Sequence, residues 1–122
     1  MNNETPIKIL VADDDPAILD SIKMILELEG YEVTTTVDGA TIGRMFEEQP
    51  DLLLLDIWMS GQDGKDICRA LKAQDTTRHI PIIMISASRD VAESARDAGA
   101  DDFLTKPFEM EELLLKVKKF TT

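Results

Sequence analysis

The chain is poor in the residues that build disulfides and soft-metal sites. It has one cysteine and one histidine in 122 residues. A single cysteine excludes an internal disulfide, and neither residue has a second Cys or His beside it to form a zinc site. We therefore predict that Cys68 is a packed side chain within a helix. His79 is predicted to lie in a turn.

The chain also lacks a long hydrophobic run and an excess of basic residues. Its apolar stretches are far shorter than the roughly 18 residues that a membrane span needs. The polar residues 1–6 contain no apolar signal region, so we expect a cytoplasmic protein. The net charge of -11, with a pI near 4.4, argues against direct nucleic-acid binding, because phosphate contacts need a basic surface. Cations and basic partners are favoured instead.

Length and composition predict one globular domain over residues 1–122. Hydrophobic residues make up 43% of the chain and charged residues 30%, which are ordinary values for a globular protein. A chain of this size buries enough surface for one hydrophobic core.

Five apolar runs of strand length alternate with five segments of helical periodicity. This pattern predicts βα units around a parallel sheet. Two of the runs, residues 52–55 and 80–85, are apolar without alternation, which is typical of strands covered on both faces. The predicted strands are residues 8–12, 31–36, 52–55, 80–85 and 103–105.

Helix signals fill the intervals between these strands. Asp15 is a suitable N-cap for the first helix, with Pro16 at its first position and Gly30 just past its end. The second helix is predicted from about Asp38 to before Pro50. The remaining helices are predicted at residues 64–74, 91–98 and 109–120.

Polar side chains follow the predicted strands at the point where each strand ends. Because the carboxyl ends of parallel strands meet at one edge of the sheet, we expect these side chains to converge in one crevice. The groups are Asp13, Asp14 and Asp15 after the first strand, Asp56 after the third, Ser86 after the fourth and Lys106 after the fifth.

The acidic residues of this crevice suit a hard divalent cation. Mg²⁺ prefers carboxylate oxygens and water, with a substrate phosphate completing the shell. Asp13, Asp14 and Asp56 can supply such ligands, whereas Asp15 is most simply a helix cap. The spacing alone leaves open which of the three adjacent acids bind the metal.

The remaining groups suit a phosphoryl group. Asp56 is the natural nucleophile, since a carboxylate can attack phosphorus and hold it as an acyl phosphate, although a purely liganding role is the alternative. Lys106 would contribute its positive charge to the phosphoryl oxygens. Ser86 offers a hydroxyl donor beside the small Ala87.

The order of these groups resembles the receiver domain of bacterial two-component response regulators, of the CheY-like superfamily. The resemblance covers essentially the whole chain and implies a flavodoxin-like (βα)5 fold, a doubly wound five-stranded parallel sheet of strand order 2-1-3-4-5. It is carried by Lys8-Ile-Leu-Val-Ala-Asp-Asp-Asp-Pro16, Leu52-Leu-Leu-Leu-Asp-Ile-Trp-Met59, Ser86-Ala87 and Gly99-Ala-Asp-Asp-Phe-Leu-Thr-Lys-Pro-Phe108.

For the metal and the phosphoryl group, the resemblance implies specific roles. Asp13 and Asp14 would be the acidic pair that holds Mg²⁺, and the backbone carbonyl of Trp58 would be a further protein ligand. Asp56 would be the phosphoacceptor, taking its phosphoryl group from a phosphohistidine of a sensor kinase or phosphotransfer protein. The domain would catalyse only its own phosphorylation and dephosphorylation, without acting as a turnover enzyme.

The resemblance also implies a switch that reports the phosphoryl group to a partner. Ser86 would be the switch hydroxyl, Phe103 the switch aromatic and Lys106 the phosphate-sensing lysine, with a cis peptide between Lys106 and Pro107. The surface that changes would signal a downstream protein or an attached output domain, without membrane contact. A separate hypothesis is that the indole of Trp58 overhangs the phosphoryl group and obstructs attacking water.

The sequence departs from the usual family pattern in three places. Ser60 stands where Pro usually follows the methionine after the phosphoacceptor. The switch hydroxyl is Ser86 instead of the commoner Thr, and the interval from Ser86 to Lys106 is slightly shorter than usual. The shortened interval adjoins the expected output surface.

Two other readings stay open from the sequence. One is a Mg²⁺-dependent phosphohydrolase of the haloacid dehalogenase type, with Asp13 as nucleophile and Asp15 as acid and base. The chain then has Pro16 and Ala17 where that family usually has a small residue and Thr or Val. The other is a receiver-like interaction module that binds its partner without phosphorylation. A flavodoxin-like cofactor binder is disfavoured, because acids occupy the loop where phosphate binding needs glycine and hydroxyl groups.

Overall fold

Five parallel strands form the central sheet, and their order confirms the predicted topology. The computed structural model describes residues 6–45, 48–59, 62–87 and 89–121. The sheet order is β2-β1-β3-β6-β7, which is 2-1-3-4-5 when only its own strands are counted. The strands are β1 (Lys8–Ala12), β2 (Glu32–Thr36), β3 (Leu52–Asp56), β4 (Trp58–Met59), β5 (Gln62–Asp63), β6 (Ile82–Ser86) and β7 (Asp102–Thr105).

Helices cover both faces of the sheet between the strands. The side chain of Asp15 caps the first helix by accepting a hydrogen bond from the Ala17 N–H at 3.0 Å, and Pro16 opens that helix as predicted. Gly30 adopts a positive φ of 94° just past its end. The helices are α1 (Pro16–Leu28), α2 (Ile42–Met45), α3 (Gly64–Lys72), α4 (Val91–Ala98) and α5 (Met110–Thr121). None of the helices in the described ranges is long and apolar enough to cross a bilayer.

Parallel registers bring the ends of the strands to one edge. Ala12 of β1 lies opposite Leu55 of β3, so Asp13 and Asp56 leave neighbouring strands together. Ser86 ends β6 opposite Thr105 of β7, the residue before Lys106. The sheet thereby delivers the predicted polar groups to the same edge.

The central strand β3 is buried on both faces, as its unbroken apolar run predicts. Its leucines alternate between two hydrophobic clusters and are all fully buried. Leu53 and Leu55 face α2, α3 and α4, whereas Leu52 and Leu54 face α1 and α5. Each such burial contributes about 1.5–3 kcal/mol to folding, so the edge that carries the site is anchored in the core.

Two of the predicted helices differ from the observed ones by more than one residue. The second begins as a 3-10 turn, Gly39–Thr41, because the carbonyl of Asp38 accepts hydrogen bonds from both the N–H and the hydroxyl of Thr41. Its α-helical part is only Ile42–Met45, and residues 46–47 lie outside the described ranges. α3 ends at Lys72 instead of residue 74, since the hydroxyl of Thr77 turns back to the Leu71 carbonyl.

The single cysteine and the single histidine lie in the surroundings that the sequence predicts. Cys68 is fully buried in α3, and burial raises the pKa of its thiol to about 11, which keeps it protonated and unreactive. His79 is exposed in the turn before β6. Strand β6 itself begins at Ile82 instead of residue 80, because Pro81 has no N–H for the ladder and only its carbonyl pairs, with the Leu53 N–H.

Two short antiparallel strands, Trp58–Met59 and Gln62–Asp63, lie where the sequence predicts neither a strand nor a helix. Trp58 pairs with Asp63 and Met59 with Gln62. Strands of two residues are too short to show a periodic pattern, which is why the sequence gives no sign of them. Ser60, the position that departs from the family pattern, lies outside the described residues.

Candidate functional site

Three carboxylates meet at the carboxyl edge of the sheet. One oxygen from each of Asp13, Asp14 and Asp56 lies within 4.8 Å of the others. Asp13 is fully buried and Asp56 nearly so, while Asp14 is exposed. The N–H of Asp15 donates to Asp13 Oδ1 at 2.9 Å, which holds the Asp13 carboxylate in place.

The structure separates the three adjacent acids of the first loop. Asp15 caps α1 with its side chain, while Asp13 and Asp14 face Asp56. The spacing in the sequence did not show which of the three acids lie together, whereas the structure groups Asp13 and Asp14 with Asp56. The Asp13 N–H donates to the Thr36 carbonyl, just past the end of strand β1. The side chains of Asp13 and Asp15 therefore diverge directly after the last backbone hydrogen bond between β1 and β2.

Lys106 inserts its ammonium between two of the carboxylates. Its Nζ lies 2.8 Å from Asp13 Oδ2 and 3.6 Å from Asp56 Oδ2. Its backbone N–H donates to the Ser86 carbonyl, which ties the end of β7 to the end of β6. The predicted cis peptide between Lys106 and Pro107 is present. Burial alone would lower the pKa of Lys106, but the charges of Asp13 and Asp56 raise it, so the ammonium stays charged.

Burial and repulsion make the Asp56 carboxylate hard to ionise. Desolvation, followed by the negative charge of Asp13, raises the pKa of Asp56 from 3.8 to about 6; Asp14 adds to this rise. The ammonium of Lys106 and a hydrogen bond from the Trp58 N–H oppose it. At neutral pH three negative charges therefore face one positive charge, an excess that a divalent cation would neutralise.

The donors themselves also fit a hard cation. Asp13 Oδ2 is buried and, within the described residues, makes no hydrogen bond; its contact with Lys106 is an ion pair without hydrogen-bond direction. A buried oxygen left without a directed donor is suited to metal coordination. Asp14 is exposed, so a cation bound here could keep water in part of its shell.

The other predicted site residues surround this cluster at different depths. Ser86 is buried at the end of β6, next to Ile85, the residue opposite Asp56. Phe103 is half-buried in β7 and packs against the cluster formed with α4. The Trp58 residue is 63% exposed, and its backbone N–H is the part that contacts Asp56. The roles assigned to these residues and to the Trp58 carbonyl stay predictions.

Gly64 is a site residue that the sequence reasoning did not single out. It opens α3, and its N–H donates to the Ile57 carbonyl. A Cβ at this position would overlap the backbone carbonyl of Asp56 and approach Ile57 Cα to 2.9 Å. Only glycine therefore lets α3 begin against the strand that carries Asp56. The Asp63-Gly64 pair is a turn signal, but nothing local in the sequence reveals this long-range contact.

Comparison with known proteins identifies the family to which this fold belongs. The family model described as "response regulator receiver domain" matches residues 9–118. The chain belongs to the response regulator receiver domain family. The resemblance seen in the sequence is thereby confirmed, and with it the assignment to two-component signalling and to the CheY-like superfamily.

Curated relatives of this receiver domain are longer proteins. A protein named DNA-binding dual master transcriptional regulator RpaA, from Synechocystis sp., is 40% identical over 114 residues, which cover 91% of this chain and 47% of that protein. The chain thus spans about half the length of this relative. The other half of the relative lies outside the alignment.

Solved structures match the receiver domain over nearly its full length. A putative response regulator from Chloroflexus aurantiacus has a TM-score of 0.89 and 32% identity, covering 95% of this chain and 98% of that one. The receiver domain of a sensor histidine kinase from Pseudomonas aeruginosa has a TM-score of 0.86 and 32% identity, with the same coverage of both chains. That second structure is described with a magnesium ion coordinated in its active-site cleft.

Proposed function

We propose that this receiver domain accepts a phosphoryl group on Asp56 from a phosphohistidine of a sensor kinase or histidine phosphotransfer protein. The phosphoryl group then changes the surface of the domain and so signals a downstream protein or an output domain. One observation carries the proposal. The Asp56 carboxylate stands in a cluster with Asp13 and Asp14, within reach of the Lys106 ammonium.

The reaction is expected to require Mg²⁺. Asp13, Asp14, Asp56 and the backbone carbonyl of Trp58 would hold the ion, which would neutralise charge on the phosphoryl oxygens when bound. The negative excess of the site and the buried Asp13 Oδ2 without a hydrogen bond both support this assignment. The magnesium described in the Pseudomonas relative supports it independently.

Asp56 acts as the nucleophile. One of its carboxylate oxygens forms a bond to phosphorus while the bond from phosphorus to the donor's imidazole nitrogen breaks, and that nitrogen keeps the electron pair. With a pKa of about 6, Asp56 is largely ionised at neutral pH and so available for attack. Lys106 Nζ, 3.6 Å from Asp56 Oδ2, is placed to contact the transferred oxygens. Attack of water on phosphorus later releases phosphate and restores the carboxylate.

The switch follows from the new oxygens on Asp56. Ser86 ends the strand next to Asp56 and can donate its hydroxyl to one of them, which draws the loop after β6 inward. Phe103, on the neighbouring strand, then rotates towards the space that this loop leaves. A phosphoryl group in this way biases an element with two states.

The decisive experiment is phosphorylation by a small donor. We expect phosphoramidate, whose P–N bond resembles that of phosphohistidine, to add one labile phosphoryl group in the presence of Mg²⁺, detected by intact-mass spectrometry. Asp56→Asn should show no adduct. Asp51→Asn is the matched control, because Asp51 lies at the opposite edge of the sheet, where it accepts the Lys8 N–H.

Other outcomes separate the alternatives. An adduct that persists in Asp56→Asn and disappears in Asp13→Asn would support the phosphohydrolase reading. Absence of any adduct on wild type, together with failure to bind beryllofluoride in the presence of Mg²⁺, would contradict the proposal and support the interaction module.

The broader context of the role is also a proposal. We propose that the domain spans residues 1–122 and acts in the cytoplasm. The net charge of -11 supports protein partners over direct nucleic-acid binding by this domain. Phosphotransfer from a purified histidine kinase or phosphotransfer protein, measured against Asp56→Asn, tests the partner assignment.

A further inference from the structure

Lys116 of α5 reaches around the edge strand to the ring of Phe103. Its Nζ lies 4.9 Å from the centre of the ring, within the range of a cation–π contact. The base of Lys116 is fixed because Leu113 and Val117, on either side of it in α5, are fully buried. The contact therefore joins α5, on one face of the sheet, to a ring that packs on the other face.

The ammonium is held over the ring by Asp102. Lys116 Nζ donates to Asp102 Oδ1 at 2.9 Å, and the Phe103 N–H donates to the same oxygen at 2.8 Å. Only 23% of the Lys116 side chain and 12% of the Asp102 side chain are exposed, so this ion pair is better shielded than an ordinary surface pair.

A second lysine contacts the same carboxylate without contacting Phe103. Lys119 Nζ lies 3.3 Å from Asp102 Oδ2, with 63% of its side chain exposed, and its ammonium sits 5.2 Å from the ring centre of Phe120. Lys116 and Lys119 thus share one anionic partner but differ in the aromatic ring that each one covers. The chain itself supplies a matched control.

We propose that Lys116 is a positioning residue that holds Phe103 in the orientation of the unphosphorylated domain. The inference rests on the proposed function in one respect, the assignment of Phe103 as the side chain that turns on phosphorylation. When the ring turns towards the interior, Asp102 keeps the ammonium at the edge of the sheet, so the cation–π contact is lost. Lys116 in this way opposes the rotation of Phe103 and limits the fraction of molecules in which the ring turns.

The expected size of the effect follows from the contact. A partly exposed cation–π contact corresponds to roughly a two- to fivefold change in an equilibrium. Removal of the ammonium should therefore raise the population ratio of the second to the first orientation of Phe103 by that factor. Any ligand that favours the second orientation should bind correspondingly more tightly, by linkage.

The rotamer is measured directly, without any phosphoryl mimic. Three-bond couplings to Cγ of Phe103 report its χ1 populations in isotopically labelled protein. We expect Lys116→Met, which keeps the aliphatic stem and removes the charge, to shift these populations. Lys119→Met should leave them unchanged, and Lys116→Arg, which restores a cation over the ring, should return them towards wild type. Unchanged populations in Lys116→Met, or an equal shift in Lys119→Met, would overturn the inference.

Affinity for beryllofluoride in saturating Mg²⁺, measured by calorimetry, gives the functional effect. We expect Lys116→Met to bind it about two- to fivefold more tightly than wild type, and we expect no such gain in the Phe103→Leu background. A gain of the same size in that background would show that the ring is not involved and would overturn the inference. If wild type binds no beryllofluoride, the proposed function fails, and the coupling measurement alone decides the role of Lys116.

Discussion

Replacement of Asp56 by asparagine is expected to stabilise the metal-free domain, although it removes the proposed phosphoacceptor. The pKa of Asp56 is raised from 3.8 to about 6, which means that the folded domain resists ionisation of this carboxyl. At 1.36 kcal/mol per pKa unit, ionisation of Asp56 opposes folding by up to about 3 kcal/mol above pH 6. Asparagine has a similar shape and can accept the same Trp58 N–H hydrogen bond, but it carries no charge.

The net gain is smaller than this upper value, because the asparagine amide is itself a buried polar group that needs hydrogen-bond partners. We expect Asp56→Asn to raise the free energy of unfolding by about 1–2 kcal/mol at pH 7.5, or several degrees in melting temperature. The assay is urea unfolding of both proteins in EDTA, followed by circular dichroism between pH 4 and pH 8.

The pH dependence of the difference is the strictest part of this prediction. Below the unfolded pKa of 3.8, Asp56 is protonated in both states, so the penalty is absent. It grows as the pH rises from 3.8 to about 6 and is complete above that. The advantage of Asp56→Asn should therefore nearly vanish at pH 4 and reach a plateau above pH 6. The reasoning would be refuted if Asp56→Asn were no more stable than wild type at pH 7.5, or if its gain in the free energy of unfolding were as large at pH 4 as at pH 7.5. The control Asp51→Asn should show neither a gain nor this pH dependence.

Three further predictions concern the same edge of the sheet. Lys106→Met leaves the buried Asp13 carboxylate without its cation and should lower the free energy of unfolding by about 3–5 kcal/mol, measured in urea with EDTA. Addition of Mg²⁺ should recover part of this loss, and an unchanged unfolding midpoint would contradict the prediction. Gly64→Ala should destabilise by about 1–3 kcal/mol and weaken Mg²⁺ binding, measured by calorimetry, because its Cβ displaces the Asp56 backbone; wild-type affinity would contradict it. Trp58→Ala should lose its phosphoryl group faster, since the exposed indole would no longer obstruct water; an equal or slower rate by mass spectrometry excludes shielding.

The parallel sheet was predictable because it depends on features that repeat along the chain, whereas its strand order was implied by the resemblance to the receiver domain family. Buried parallel strands require unbroken apolar runs, and such runs appear at residues 52–55 and 80–85 with helical periodicity between them. A parallel sheet then places every strand end on one edge without any knowledge of side-chain packing. The convergence of the acids and the lysine follows from these two facts. The N-cap role of Asp15 was predictable separately, from its place directly before Pro16 at the start of a helical pattern.

Other features of the site depend on contacts between distant elements and could not be predicted from local patterns. The need for glycine at position 64 arises from the backbone of Asp56, eight positions earlier. The choice of Asp14 over Asp15 as a partner of Asp56 depends on how the chain turns into α1. The contact of Lys116 with Phe103 crosses the edge of the sheet and has no signature in helix periodicity, which marks only the buried Leu113 and Val117.

The site is also the place where the rules that stabilise the rest of the fold are broken. Leu53 and Leu55 of β3 are buried among apolar neighbours, but the same strand ends in a carboxylate that burial and two further acids disfavour. A fold selected for stability alone would place a neutral residue there. Under the proposed function this cost is offset, because a bound divalent cation and the Lys106 ammonium would neutralise the carboxylate together. The stability that Asp56→Asn is expected to gain and the phosphorylation that it is expected to lose are thus two measurements of one electrostatic conflict.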